Sequence, residues 1–348
     1  MSLPIVSTGL TKRLPRMQKV LVTGGAGYVG SHTCLRLAEA GFEPVVYDNL
    51  SNGHQAFVRW GPFEQGDICD AHRLDEVFAR HRPVAVLHFA ALIEVGESVK
   101  QPDRFYANNV AGALNLVEAA RRAGVDKFVF SSTCATYGEP RQIPMDETHP
   151  QVPLNPYGRS KLMVEQMLQD FDRHLGFRSI CLRYFNAAGA DFEGRIGEWH
   201  DPETHAIPLA IRAAMGENGG FKLFGVDYPT RDGTAVRDYI HVLDLADAHV
   251  LALQYLLNGG ASDVFNLGTG TGSTVAELIE AIAQVSGRPF EVERVGRREG
   301  DAPALVADNA KASRVLGWRP RYGLAEILDS AWRWHSSGVT TQSAMQDA

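Results

Sequence analysis

Tyr157 and Lys161 stand four residues apart, a spacing that places a phenol and an ammonium on one face of a helix. The positive charge favours the phenolate and draws a group with an ordinary pKa of about 10 towards neutrality. A tyrosine tuned in this way is a general acid/base for a hydroxyl whose carbon exchanges a hydride. Upstream lies the turn Gly24-Gly25-Ala26-Gly27-Tyr28-Val29-Gly30, which fits G-x-G-x-x-G through Gly25, Gly27 and Gly30. Such a turn lets backbone approach a pyrophosphate at a helix N-terminus. Together the two motifs predict redox chemistry on an alcohol carbon.

The elements that must position these residues are legible as a pattern. Lys19-Val20-Leu21-Val22-Thr23 is a short apolar run entering the glycines, as a buried parallel strand does. Helical spacing follows from Gly30 to Ala40, and Glu43–Asp48 reads as the second strand. Asp48 at its end is placed to hydrogen-bond a ribose 2′-hydroxyl and to repel a 2′-phosphate, which selects NAD over NADP. Further apolar runs at 84–89, 127–131 and 179–184 alternate with helical segments at 111–123 and 157–174. Alternation of this kind predicts a doubly wound parallel α/β sheet of Rossmann type.

Asn155-Pro156 is a helix start, asparagine capping and proline at the first position, so Tyr157 falls in a first turn at a domain edge. Ser131-Ser132-Thr133 ends the preceding strand, where carboxyl ends line a ligand crevice. Thr133 is placed there either to support the reacting substrate oxygen or as an ordinary turn hydroxyl. Asp67 reads equally as an adenine contact and as a solvated loop aspartate. Arg237, and Arg298 before Asp301, suit bidentate phosphate recognition or surface ion pairs. His200, Glu203 and His205 suggest a metal, but their spacing has no helix to align them, and none is expected.

After Asn186 the pattern changes. Residues 194–205 read as an extended surface loop, followed by a helix near Pro208–Met215, a short strand at 221–224, a helix at 242–257 and a strand at 264–267 returning to the first sheet. The domains expected are an extension over 1–16, an NAD-binding domain over 17–186 joined by about 236–268, and a smaller α/β substrate domain over 187–235 and 269–338. No internal repeat and no low-complexity tract is found.

The bulk numbers agree. The 348 residues are 45% hydrophobic and 22% charged, an ordinary globular composition. A net charge of -7 disfavours nucleic acid, and no apolar run reaches membrane-spanning length. The four cysteines are scattered without CxxC pairs, which suits a reducing cytoplasm.

Several stretches go beyond general patterning: Thr23–His32, Asp48-Asn49-Leu50, His88–Leu92, Gly96-Glu97-Ser98, Asn108-Asn109-Val110, Asn155–Gly158, Arg183–Asn186 and Gly233 through Asp247. On these the chain, from about Lys19 to Trp334, resembles the extended short-chain dehydrogenase/reductases and among them the UDP-sugar 4-epimerases. The resemblance implies C4 epimerisation of UDP-glucose and UDP-galactose through a transient 4-keto sugar, with tightly held NAD. UDP-xylose/UDP-arabinose and UDP-N-acetylglucosamine remain alternatives.

It further implies NAD contacts from Gly24, Gly27, Tyr28, Val29, Gly30, Asp48, Asn49, Ser51, Asn52, Gly53, Asp67, Ile68, Phe89, Ala90, Ala91, Asn108, Tyr157, Lys161 and Phe185. Substrate contacts are implied for Thr133, Asn186, His205, Phe224, Arg237, Arg298 and Asp301, and a homodimer through helices near Ala113 and Met163. Three positions depart from the family: Ile93 replaces a lysine facing the cofactor phosphates, Thr133 the usual serine, and Leu305 a size-selecting tyrosine. The related 4,6-dehydratases need an acidic pair after the threonine, which Cys134-Ala135 does not supply.

Overall fold

The computed structural model describes residues 17–338 apart from 218, 299 and 300; the extension over 1–16 lies outside the described residues. Seven strands form one parallel sheet: β1 (Lys19–Thr23), β2 (Glu43–Asp48), β3 (Phe63–Gln65), β4 (Ala85–His88), β5 (Lys127–Thr133), β6 (Arg178–Tyr184) and β7 (Asp263–Leu267). Their spatial order is β7-β6-β5-β4-β1-β2-β3, with every neighbour pair parallel. Strand order reverses between β1 and β4, which is where doubly wound sheets open their ligand crevice.

The strands are apolar on both sides because both faces are covered. Val20, Val22, Leu87 and Val129 face a core shared with helix α5 (Val242–Leu257), against which helix α1 (Tyr28–Glu39) also packs. Leu21, Val86, Phe128 and Phe130 face the opposite core, filled from α2 (Ala71–His81), α3 (Ala113–Arg122) and α4 (Pro156–Leu175). The expected helix at 111–123 begins instead with a π-helical turn over Tyr106–Gly112. Such turns mark functional sites, and this one carries Asn108 and Asn109.

The remaining strands make three small sheets. Asn186–Ala188 pairs with Tyr239–His241; Val236–Arg237 lies between Ser273–Thr274 and Ala304–Leu305; Phe221–Phe224 pairs with Val292–Val295. A separate core of Ile207, Ile211, Leu278, Ile282 and Ile327 sits beneath them. The segment over 194–205 is a loop, as expected, but only its ends and the turn near 201–202 and 204 lie at the surface. Ile196, Gly197, Glu198 and Glu203 are buried, and the Trp334 indole donates to the Glu198 carbonyl at 2.9 Å. Mixed polarity hid this burial.

Two glycines set the junction of strand and helix. Gly24 has φ +73°, and a Cβ on Gly30 would stand 2.2 Å from the Gly24 carbonyl oxygen. Gly30→Ala therefore forces α1 off β1 and costs about 1–3 kcal/mol, the usual scale of overpacking. Urea denaturation checks this, and an unchanged midpoint would show that the junction has slack.

Candidate active site

At the carboxyl edge of the sheet lies a cleft of about 380 Å³ that contains the switch point. Its lining includes Gly24, Gly27, Tyr28, Val29 and Gly30 of the glycine turn, then Asp48, Asn49, Ser51, Asn52 and Gly53 after β2. Ile68, Phe89, Ala90, Ala91, Asn108, Thr133, Tyr157, Lys161, Phe185, Asn186 and His205 complete the predicted residues found there.

The glycine turn leaves its donors available. The α1 cap, Gly27, makes no side-chain cap hydrogen bond, so the first-turn amides face the cleft, as a diphosphate requires. Asp48 shapes this turn as well as facing the ribose position, accepting from the backbone N–H of Ala26 at 3.0 Å and of Leu50 at 2.8 Å. Asp67 does not reach the lining, although its neighbours Gly66 and Ile68 do. Its carboxylate is held by the Asn49 amide at 2.8 Å and the Cys69 N–H at 2.8 Å. These contacts fit a dinucleotide across the switch point.

The catalytic candidates meet at the end of β5. Asn155 caps α4 by accepting from Gly158 N–H at 2.9 Å, which fixes Tyr157 in the first turn. One turn on, the Lys161 ammonium is buried and donates to the Ser131 carbonyl at 2.9 Å. It also lies 4.9 Å from the centre of the Phe130 ring, a favourable cation–π position. The next turn brings Glu165, paired with Arg183 and accepting from the Ser132 hydroxyl. Arg183 donates onward to Tyr137 at 2.9 Å. This buried network ties α4 to the ends of β5 and β6.

Electrostatics corrects one expectation. Burial pushes the Tyr157 phenol above its ordinary range, and the nearby Tyr184 adds to this, while a hydrogen bond with Thr133 opposes it. Lys161 is itself lowered to about 7, mainly by burial and against the pull of Glu165. In the protein alone the ammonium therefore does not bring the phenol to neutrality: desolvation outweighs it.

The substrate candidates divide. Asn186 and His205 line the cleft, but Phe224, Arg237, Arg298 and Asp301 form a separate group. There Arg237 donates to the carbonyls of Val236 and Ala302, each at 2.9 Å, and its guanidinium lies 3.6 Å from Asp301. The Arg298 guanidinium stacks 4.3 Å from the Phe224 ring centre. Reading from sequence missed Tyr184, whose hydroxyl bonds the Ser131 hydroxyl; its place at a strand end, like that of Thr133, was the available signal. It also missed the structural part of Asn109, which binds both backbone groups of Leu92 at 2.8 and 2.9 Å.

The reason given against a metal also fails. Without any helix, the loop brings Glu198, His200, Glu203 and His205 together, their ligand atoms within 4.8 Å of one another.

A doubly wound sheet with a diphosphate-ready turn and a Tyr-x-x-x-Lys helix defines a dinucleotide-dependent enzyme of the short-chain type. The profile of the NAD dependent epimerase/dehydratase family matches residues 20–268, and the chain belongs to that family. It is 69% identical over 319 residues to a UDP-glucose 4-epimerase of Rhizobium leguminosarum bv. trifolii, covering 92% of this chain and 98% of that one. The crystal structure of UDP-glucose 4-epimerase from Brucella ovis in complex with NAD superposes with TM-score 0.89 at 51% identity, covering 90% and 97% of the two chains. That of Stenotrophomonas maltophila, with NAD and formylated UDP-arabinopyranose bound, gives TM-score 0.90 at 40% identity over 95% and 100%.

The buried lysine has a measurable consequence. Lys161 protonates at about 7 in the fold and at its ordinary 10.5 when unfolded, so the unfolded chain holds more protons between those values. Its contribution to stability thus rises with pH across that window. In urea denaturation of cofactor-free protein, Lys161→Met should exceed wild type most at pH 7 and below, the gap closing towards pH 10.5. A gap independent of pH would refute the lowered pKa.

Proposed function

We propose that this chain catalyses the reversible C4 epimerisation of a UDP-hexose, interconverting UDP-glucose and UDP-galactose with NAD kept tightly bound. The observation that carries this reading is the convergence of Tyr157, Thr133 and Lys161 at the end of β5, in the same cleft as the glycine turn. The glycine turn holds the NAD diphosphate, Asp48 its adenosine ribose, and Lys161 its nicotinamide ribose. When bound, NAD would supply the hydride acceptor and donor for sugar C4, and a positive charge that would favour the phenolate disfavoured by burial.

The chain's own residues do the rest. Tyr157 removes the proton of the 4-hydroxyl and later returns it, acting as base and then acid on one oxygen. Thr133 supports that oxygen by a hydrogen bond. Arg237 and Arg298 clamp the diphosphate, and Phe224 and Asp301 hold these two arginines. Inversion needs the 4-keto sugar to turn over while its diphosphate stays fixed. The division seen above serves this, with firm arginines in one group and a roomy cleft in the other.

The smaller unit over 187–235 and 269–338 is the UDP-sugar domain in this reading. Leu305 sits in an apolar cluster with Phe185, Tyr137 and Met145, behind the cleft wall where sugar size is judged. Exposed Leu114 on α3 and Met163 on α4 are the seam of a homodimer. Four free thiols fit a cytoplasmic enzyme, and no helix among the described residues is long and apolar enough to cross a membrane.

Tyr157→Phe should lower turnover by roughly 10²–10⁴, the usual worth of a positioned acid/base, and leave UDP-sugar binding intact. Chromatography of products from UDP-glucose, UDP-xylose and UDP-N-acetylglucosamine, run on wild type and variant, tests this and ranks the sugars. A variant of near-normal rate removes Tyr157 from the mechanism. Stoichiometric NADH accumulation would make the enzyme a net oxidoreductase instead.

A further inference from the structure

The loop over 194–205 buries two carboxylates, Glu198 and Glu203, and sets the partly exposed His200 and the more exposed His205 against them. The Glu203 side chain is fully buried and that of Glu198 is 5% exposed. Two of their atoms are orphans: neither His200 Nδ1 nor Glu203 Oε2 has a hydrogen-bond partner, although both are shut off from solvent. These two orphans face each other at 3.7 Å, too far for a hydrogen bond. A buried polar atom without a partner calls for an explanation, and a missing ion is one of the few available.

The spacing of the donors supplies that explanation. His200 Nδ1 lies 3.3 Å from Glu198 Oε1, and His205 Nδ1 lies 3.1 Å from Glu198 Oε1 and 2.9 Å from Glu203 Oε1. Ligands bound roughly 2.0–2.2 Å from a tetrahedral zinc ion stand about 3.3–3.6 Å from one another along the tetrahedron's edges. Four of the donor pairs lie 2.9–3.7 Å apart and all four donors fall within 4.8 Å of one another, a range that contains that edge. Two imidazoles with two carboxylates suit zinc and disfavour magnesium or calcium, which prefer oxygen donors throughout.

We propose that Glu198, His200, Glu203 and His205 form a structural site for one divalent transition-metal ion, zinc by donor set and geometry. The ion pins the 198–205 loop against the cofactor side of the cleft. The His200 ring meets the Tyr28 ring edge-on at 6.2 Å, and Tyr28 opens the helix whose N-terminus receives the diphosphate. Trp199 stacks on His54 at 3.9 Å, just after the turn over 51–53 that lines the cleft. Glu198 accepts from Trp334 through its carbonyl, so its carboxylate is free to bind the ion. Fixing four side chains at one point thus closes a wall over the bound dinucleotide and slows its escape. Because the ion touches no reacting atom, this role holds whichever UDP-sugar is used.

The test uses untagged full-length holoenzyme prepared without chelator, equilibrated with zinc chloride and then gel-filtered. Plasma mass spectrometry should find one zinc per chain, with magnesium or calcium chloride leaving no metal behind. His205→Ala and Glu203→Gln should each weaken zinc binding more than tenfold, since even indirect partners of a metal cost that much. His200→Ala serves as a third variant should either misfold by circular dichroism. NAD retained through gel filtration should fall in the variants, and in wild type after removal of zinc by chelator. Wild type without zinc, variants that hold as much as wild type, or magnesium or calcium retained in its place would each overturn the assignment.

Discussion

Everything at the active edge rests on how closely α1 approaches β1. With Gly24 in a left-handed turn and no Cβ on Gly30, the helix N-terminus comes down onto the strand end. The rest of the edge is built against that junction. Phe89 and Ala90 both donate their backbone N–H to the Thr23 carbonyl, at 2.8 and 3.1 Å, and Gly24 donates to the Tyr47 carbonyl at 2.9 Å. Three strand ends are thereby laced around one turn. Across the switch point Thr23 Oγ1 meets His88 Nδ1 at 2.7 Å, and burial keeps His88 neutral, with a pKa lowered to about 3. The glycine turn and the ends of β1, β2 and β4 thus stand in a fixed relation before any ligand arrives.

The second constraint is charge without water. Lys161 sits in an apolar neighbourhood with one carbonyl partner, and Tyr157 is buried beside it. Each group resists its charged form, the lysine shifted down and the tyrosine up. A pocket so arranged is poised for an incoming cation to create the phenolate, rather than holding one permanently. In the proposed mechanism acid/base competence would then follow cofactor occupancy, the base becoming strong only when the hydride acceptor is present. Glu165 beneath, paired with Arg183, pulls the lysine upward without overcoming its burial. The pair's charges neutralise each other at close range, and removing either partner would strand a buried charge.

Most of the Rossmann layer was legible because local and global signals agreed there. Apolar runs of strand length alternated with helices; Asn155-Pro156 started α4 as capping preference demands; Gly24–Gly30 can serve little else between a strand and a helix. What escaped reading has a common physical origin. The π-helical turn at Tyr106–Gly112 breaks the 3.6-residue period that a helix is recognised by, so the helix was read only from 111 and Asn109 fell outside it. The loop over 194–205 has no period at all, and its buried glutamates look like solvated ones until the fold encloses them. Arg237 and Arg298 were picked out by their side-chain chemistry alone, and Phe224 and the part of Asp301 by likeness to a family; Arg237 and Asp301 are far apart in sequence and meet only when the short strands Val236–Arg237 and Ala304–Leu305 pair.

That contrast separates two kinds of information. Where function needs backbone at a particular place, as under a diphosphate, the demand falls on glycine, proline and caps, and is written locally. Where it needs side chains gathered from distant segments, as in the diphosphate clamp proposed for Arg237 and Arg298, the demand is met by topology and leaves little local trace. The 198–205 loop lies between these cases. Its four donors are close in sequence, yet the turn that makes them converge depends on Trp334 and Tyr28, contributed from opposite ends of the chain. Convergence of buried carboxylates is costly unless cations meet them. Two glutamates drawn inward therefore need positive charge beside them, which His200 and His205 bring and which the proposed ion, tying the loop to the cofactor wall, would supply more firmly.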